Sequence, residues 1–318
     1  MARQVILHHY PASPFSEKIR LILGAKRMAW HSVRVPMVMP KPELTALTGG
    51  YRRTPVLQIG SDIYCDTALI ARVLDRLVPE PPLFLAPASV ARTVAAWADR
   101  DLFSAAMSWC FQAAGRDAFF KDQAPEQVEA FSEDRRRMRE GGASVRMNAG
   151  DAAGVLHEGL ARIRDHLADG RPFLLAQAPT IADFSVYHPL WFIAGIAPVA
   201  GVLDLYPGVR SWMARVASLG HGEFAAMTAT QAIGMARMSS SSGAESADVL
   251  ADAKHWVDHH GLSRGARARI MANDYALDPI VGELLISAPD HLAVKRDDPL
   301  AGEVVVHFPR LGFTLKAA

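Results

Sequence analysis

The chain has 318 residues, half of them apolar and about a fifth charged, with a formal net charge of +1. That balance gives no reason to expect nucleic acid or an acidic surface as partner, and two cysteines, Cys65 and Cys110, allow neither a disulfide framework nor a thiolate zinc site. The apolar run at Met1 to Leu7 is too short for a signal peptide, and Leu190 to Leu205 is broken by Gly195, Pro198 and Gly201, so a cytoplasmic protein without a membrane span is expected.

In chain order, a strand reads over Gln4 to His9, followed by the turn Tyr10 to Ser13 and a helix from Phe15 to Lys26. Ser13 before Pro14 is a good helix start, because the hydroxyl can accept from an orphan backbone N–H and proline has none to leave unpaired. That is a sufficient structural role; the same helix start would also favour a thiolate held beside it. A strand around Trp30 to Val35, a short helix near Glu43 to Leu47, strands at Val56 to Ile59 and Ile63 to Cys65, and a helix from Asp66 to Leu77 complete a small mixed sheet with helices on both faces.

Pro79, Pro81, Pro82 and Pro87 mark a linker, after which helical periodicity dominates: Val94, Trp97, Ala98, Leu102 and Met107 on one face, Val155, Leu156, Leu160, Ile163 and Leu167 on another. The basic run Arg135, Arg136, Arg137 and Arg139 is balanced by Glu129, Glu133, Asp134 and Glu140 and reads as a solvated helix face. Thr180 to Asp183 form a capping box before Phe184, Tyr187 and Trp191. Ser239 to Ser242 with Gly243 suggest a flexible boundary, and short strands follow at Arg267 to Met271, Gly282 to Ser287, Leu292 to Lys295, Glu303 to Phe308 and Phe313 to Leu315. We read these as a small antiparallel β module, barrel-like in outline, docked against the helical part. His255, His259 and His260 include an i, i+4 pair, but no Cys or Glu completes a metal set nearby, and no metal site is expected.

The turn Ser13, Pro14, Phe15, the segment Thr54, Pro55, Val56, Leu57, and the pair Asp66, Thr67 together resemble the N-terminal, thioredoxin-like domain of the glutathione S-transferase family. Thr180 to Asp183 and Tyr206, Pro207, Gly208, Val209, Arg210, Ser211, Trp212 are similar to that family's helical C-terminal domain. The resemblance implies an α/β thioredoxin-like domain (1–80), an all-α helical domain (88–237) and, outside the family pattern, the β module (244–318).

The resemblance further implies that glutathione binds as co-substrate. Ser13 would be the catalytic hydroxyl, with Ser16 as the alternative, and Phe15, Arg53, Thr54, Pro55, Asp66 and Thr67 would form the glutathione-binding set. A cis Thr54–Pro55 peptide would present the Thr54 backbone to the cysteinyl unit, Asp66 and Thr67 would receive the γ-glutamyl end, and Arg53 would meet the glycine end. The structural alternatives are an ordinary proline, a plain N-cap and surface charge. A free thiol has a pKa of about 8.5, so glutathione needs help to ionise at neutral pH. Cysteine at the place of Ser13 or Ser16 would allow mixed-disulfide chemistry; hydroxyls at both disfavour it, and Cys65 is the remaining thiol nearby. Two functions follow: a homodimeric glutathione transferase acting on an apolar electrophile, or a non-catalytic transferase-like scaffold whose third module binds a partner.

Overall fold

A computed structural model describes residues 4–143, 147–241, 256–257 and 260–318. Strand β1 (Ile6–His9) pairs in parallel with β2 (Trp30–Arg34) and antiparallel with β3 (Val56–Ile59), which pairs antiparallel with β4 (Asp62–Cys65). Helix α1 (Pro14–Ala25) starts where Ser13 Oγ accepts from the Ser16 N–H at 3.1 Å. Its far end is fixed by Gly24, where any Cβ would collide with the Gly220 carbonyl oxygen. Helix α2 (Pro42–Thr48) follows β2, and α3 (Thr67–Leu77) starts at Asp66, whose Oδ1 accepts from the Ala68 N–H at 2.8 Å.

The helical part begins with α4 (Ala88–Trp97), which runs through a π-helical turn (Ala98–Leu102) into α5 (Phe103–Cys110). Helices α6 (Ala113–Phe119), α7 (Pro125–Arg139), α8 (Ala149–His166), α9 (Ile181–Ala194), α10 (Ala197–Ala200) and α11 (Pro207–Ala217) complete it. Buried α9 is set by the Thr180 capping box: Asp183 accepts from the Thr180 and Leu174 N–H groups at 2.8 Å each and from Trp212 Nε1 at 3.0 Å. Ile19, Ile22 and Leu23 of α1 share one apolar core with Phe184, Tyr187 and Leu190 of α9, so α1 is a wall common to both domains. On α7, Arg136 and Arg137 pair with Glu133 on an exposed face, the solvated surface expected of that run, but Asp134 is buried against Arg52 and Arg135 donates to the Met37 carbonyl, so the expectation holds for part of the run only. Among the described residues no helix is long and apolar enough to cross a membrane.

After α11 the chain returns to the sheet. Strand β5 (Phe224–Ala226) adds in parallel to β2, and α12 (Ala229–Ser241) crosses the face with Ala232 and Ala236 buried. Strands β6 (Arg267–Ala272), β7 (Ile280–Ser287), β8 (His291–Asp298), β9 (Gly302–Pro309) and β10 (Phe313–Ala317) then extend the same sheet, in the order β10-β6-β7-β8-β9-β4-β3-β1-β2-β5.

The antiparallel strands occur where the alternation places them, but they do not close into a barrel. Their main seat is also different from the one expected. Strand β9 pairs in parallel with β4, Tyr64 opposite His307, while the helical domain meets the module through the Ala276 N–H donating to the Met138 carbonyl at 2.6 Å. An edge strand offers a row of unpaired backbone groups, which a helix surface cannot match. Leu284, Leu292, Val294, Val304, Val306 and Phe308 then share a core with Leu44, Leu47, Val56 and Ile63 of the first domain.

A buried polar chain crosses the seam. His307 Nε2–H donates to Asp62 Oδ1 at 2.9 Å, His307 Nδ1 meets His291 Nε2 at 3.0 Å, and the Tyr64 ring stacks on His307 at 4.5 Å. Of the serine run expected to be flexible, Ser239 to Ser241 continue α12, and Ser240 Oγ accepts from the Glu303 N–H. Ser242, Gly243, His255 and His259 lie outside the described residues; His260 is exposed.

Candidate functional site

The turn between β1 and α1 is held from below. Arg20, in the second turn of the helix and 6 % exposed, donates to the Pro11 carbonyl at 3.0 Å and the Tyr10 carbonyl at 3.4 Å, and pairs with Glu17 at 2.6 Å. A guanidinium only donates, so His9 Nδ1, 3.1 Å from Arg20, is the acceptor, and His9 Nε2–H is left to donate to Ser32 Oγ at 2.8 Å. His221 Nε2 reaches Glu17 at 3.1 Å. Burial alone would raise the Glu17 carboxyl, but His221 and Arg20 outweigh it and hold it below its ordinary value.

This bracing fixes Ser13, which is 2 % exposed. One lone pair of its hydroxyl takes the Ser16 N–H, and among the described residues nothing accepts its proton, which leaves it to donate. Ser16 is fully buried, and among the described residues its Oγ has no hydrogen-bond partner. Phe15 is turned into the boundary between the domains, its ring 4.6 Å from Phe103 and 4.5 Å from His188.

One turn on, Lys18 is completely buried, donating to Asp99 Oδ2 at 2.7 Å and Thr67 Oγ1 at 3.1 Å. Asp99 sits on the π-helical turn and also accepts from His188 Nε2 at 3.0 Å. Desolvation pushes the Asp99 carboxyl up; the Lys18 ammonium and His188 N–H overcome it and leave the carboxyl below its ordinary value. The start of α1, the start of α3 and the helical domain are thus tied through one ammonium. Sequence reasoning gave Lys18, Asp99 and His188 no role, because single charged residues on periodic helices read as solvent-facing; nothing short of the tertiary packing identifies them.

The Thr54–Pro55 peptide is cis, and Thr54 Oγ1 accepts from Lys41 Nζ at 3.2 Å. Burial, with Arg135 nearby, pushes the Lys41 amine down to about 8. Asp66 caps α3 from a left-handed backbone, φ 74°, a region costly for a residue with a Cβ. Burial raises its carboxyl against the opposing pull of the Ala68 N–H, Arg53 and Lys18. Cys65 is fully buried in β4, and burial raises its thiol well above the ordinary range; Cys110 is pushed up to about 12 in the same way. Neither is a thiolate nucleophile at neutral pH.

Arg53 is placed differently from its neighbours. Its Nη2 donates to the Asp274 carboxylate and the Tyr275 carbonyl, and its guanidinium lies 3.8 Å from the centre of the Tyr275 ring. The structure therefore gathers Ser13, Ser16 and Phe15 at one helix start, links Thr67, which Asp66 precedes at the start of α3, to that helix through Lys18, and joins Arg53 to the connection between β6 and β7. Among the described residues no group of three or more His, Cys, Asp or Glu side chains could hold a metal ion.

The family descriptions that match this chain are the glutathione S-transferase N-terminal domain, over residues 7–82, and the glutathione S-transferase C-terminal domain, over residues 95–215. The solved structure of a GST-like protein from Pseudomonas syringae is 38% identical, covers 99% of both chains and superposes with a TM-score of 0.77, so the β module has a counterpart there. FtsZ-localized protein A of Caulobacter vibrioides is 27% identical over 192 residues, 58% of this chain and 78% of that protein. A tau-class glutathione S-transferase from mango, 16% identical with a TM-score of 0.51 over 68% of this chain and 89% of its own, shares the fold. With both domain descriptions matched in order over residues 7–82 and 95–215, the chain belongs to the glutathione S-transferase family.

Proposed function

We propose that the protein binds glutathione across the starts of α1 and α3 and activates its thiol for attack on an apolar electrophile. The observation that carries this reading is Ser13: a buried hydroxyl at a helix start, its lone pair engaged by Ser16 and its proton free, on a turn locked by Arg20. A sulfur there would accept from Ser13 and lie on the positive end of the α1 dipole, and both favour thiolate over thiol. Ser16 Oγ, buried and unpartnered, is the alternative donor. Asp66 would face the γ-glutamyl ammonium, and the N–H groups at the start of α3 its carboxylate. No metal takes part in this scheme.

The experiment is retention of the full chain on immobilised glutathione, then conjugation of glutathione to a chlorinated dinitrobenzene by wild type and Ser13→Ala. A hydrogen bond to a charged group contributes about 1.5–3 kcal/mol, so the variant should lose about ten- to a hundredfold in rate while still being retained. Equal rates for the two proteins would remove Ser13 from the chemistry.

A second reading, a partner-binding protein on the same scaffold, is favoured by one observation: Arg53, a proposed ligand anchor, is already engaged within the chain. The Caulobacter relative's name places that protein with FtsZ, which is compatible with such a role. Failure of both retention and conjugation would favour it. We further propose a cytoplasmic homodimer, with the thioredoxin-like domain of one protomer against the helical domain of its partner; a monomeric mass by light scattering would contradict the dimer.

A further inference from the structure

The connection between β6 and β7, residues 273–279, ends on the arginine assigned to the ligand. Asp274 and the Tyr275 carbonyl both take hydrogen bonds from Arg53 Nη2, the Tyr275 ring covers the guanidinium, and the Arg53 side chain is only 11% exposed. Arg53 Nε stays buried with no partner among the described residues, so the guanidinium is held on one edge and unsatisfied on another. On its far side the connection is fastened to the end of α7: the Ala276 N–H donates to the Met138 carbonyl, and Gly142 lies so close to the Asp274 carbonyl that a Cβ there would collide with it.

A guanidinium recognises a carboxylate through a fork of parallel N–H groups, and one edge of that fork cannot serve two carboxylates at once. We propose that Asp274 is an intramolecular stand-in for the glycyl carboxylate of glutathione, so that 273–279 must release Arg53 before the tripeptide seats in full. This rests on the reading of Arg53 as the anchor for the glycine end. Apparent affinity is the intrinsic affinity scaled by the fraction of open molecules, so a connection seated nine-tenths of the time weakens binding about tenfold.

The test is calorimetric titration of the full chain with glutathione, and with glutathione amidated at its glycyl carboxyl, using wild type, Asp274→Ala and Arg53→Ala. Hydrogen exchange at the Ala276 amide follows the connection directly. Asp274→Ala should bind glutathione about tenfold more tightly than wild type, bind the amidated form no better, and exchange the Ala276 amide faster. Arg53→Ala should exchange faster too, without the gain in affinity. Wild-type binding with no gain in Asp274→Ala, or an equal gain for the amidated form, overturns the proposal and leaves the glutathione reading standing. No binding by any of the three proteins overturns the glutathione reading, and the proposal with it.

Discussion

Replacing Lys18 with methionine keeps most of the buried stem and deletes only the ammonium, which isolates the electrostatic link between the domains. The side chain is fully buried, and its loss leaves Asp99 with His188 and a long 3.5 Å contact from Ser185, while Thr67 Oγ1 loses its donor. Breaking a buried pair by removing one partner costs about 3–5 kcal/mol; because Asp99 is 18% exposed and can partly rehydrate, the lower end applies, about 3 kcal/mol. The lost hydrogen bond to Thr67 adds about 1 kcal/mol. At roughly 2–4 °C per kcal/mol the melting temperature should fall by about 8–16 °C, measurable by scanning calorimetry. A cycle with Asp99→Asn and the double variant then reads the pair itself: the double should cost less than the sum of the singles by at least about 1.5 kcal/mol. A loss below about 1 kcal/mol for Lys18→Met, or additive singles, would refute the link.

Acid should unfold the protein early. Burial pushes His8 down to about 4 and His9 to about 3, the latter helped by Arg20, so both rings are harder to protonate folded than unfolded. Below the ordinary value of 6.5 the unfolded chain therefore binds more protons, and stability falls as pH drops. Each ring should cost about 2 kcal/mol by about pH 5, and urea midpoints that are flat between about pH 7 and 5 would contradict this. Truncation after Ser241 removes β6 to β10 and exposes the edge of β4. Losing buried side chains such as Val304, Val306 and Phe308, each worth about 1.5–3 kcal/mol, should lower the melting temperature and cause association through that edge. An unchanged melting temperature in a monodisperse sample would show that the module is an independent tether.

Local chemistry made the first domain readable. Ser13 before Pro14 and Asp66 before Thr67 announce helix starts by side-chain capping alone, and the observed helices begin within a residue of them. Alternation in β7, where Ile280, Gly282 and Leu284 are buried between half-buried neighbours, identified a strand without reference to its partners. The pairing of β9 with β4 had no such signal, since more than two hundred residues separate Tyr64 from His307 and a parallel pair has no turn to mark it. Short β5 was missed because its three residues are exposed and it owes its form to β2. Lys18 and Arg20 were invisible for a different reason: a long cationic side chain on a helix is solvated by default, and only the approach of α9 and His221 from afar makes these two buried.

The β module reaches the candidate site through Asp274 and Tyr275, which contact Arg53. A two-edged sheet ending at β4 would leave backbone groups open beside Tyr64, and β9 closes that edge with a parallel ladder reinforced by the buried chain from Asp62 through His307 to His291. Burial and the neighbouring His307 keep His291 well below its ordinary pKa, so protonating His291 opposes folding and its contribution to the seam is full above the histidine range. Once β9 is fixed, antiparallel pairing fixes β8, β7 and β6 in turn, and the β6–β7 connection lies between the end of α7 and Arg53. The contact of Asp274 with Arg53 is thus made from a connection whose flanking strands are held in place through β9. A chain that keeps Arg53 but loses the parallel ladder should lose the stand-in as well, so loosening the seam and deleting the Asp274 carboxylate should act on glutathione binding in the same direction.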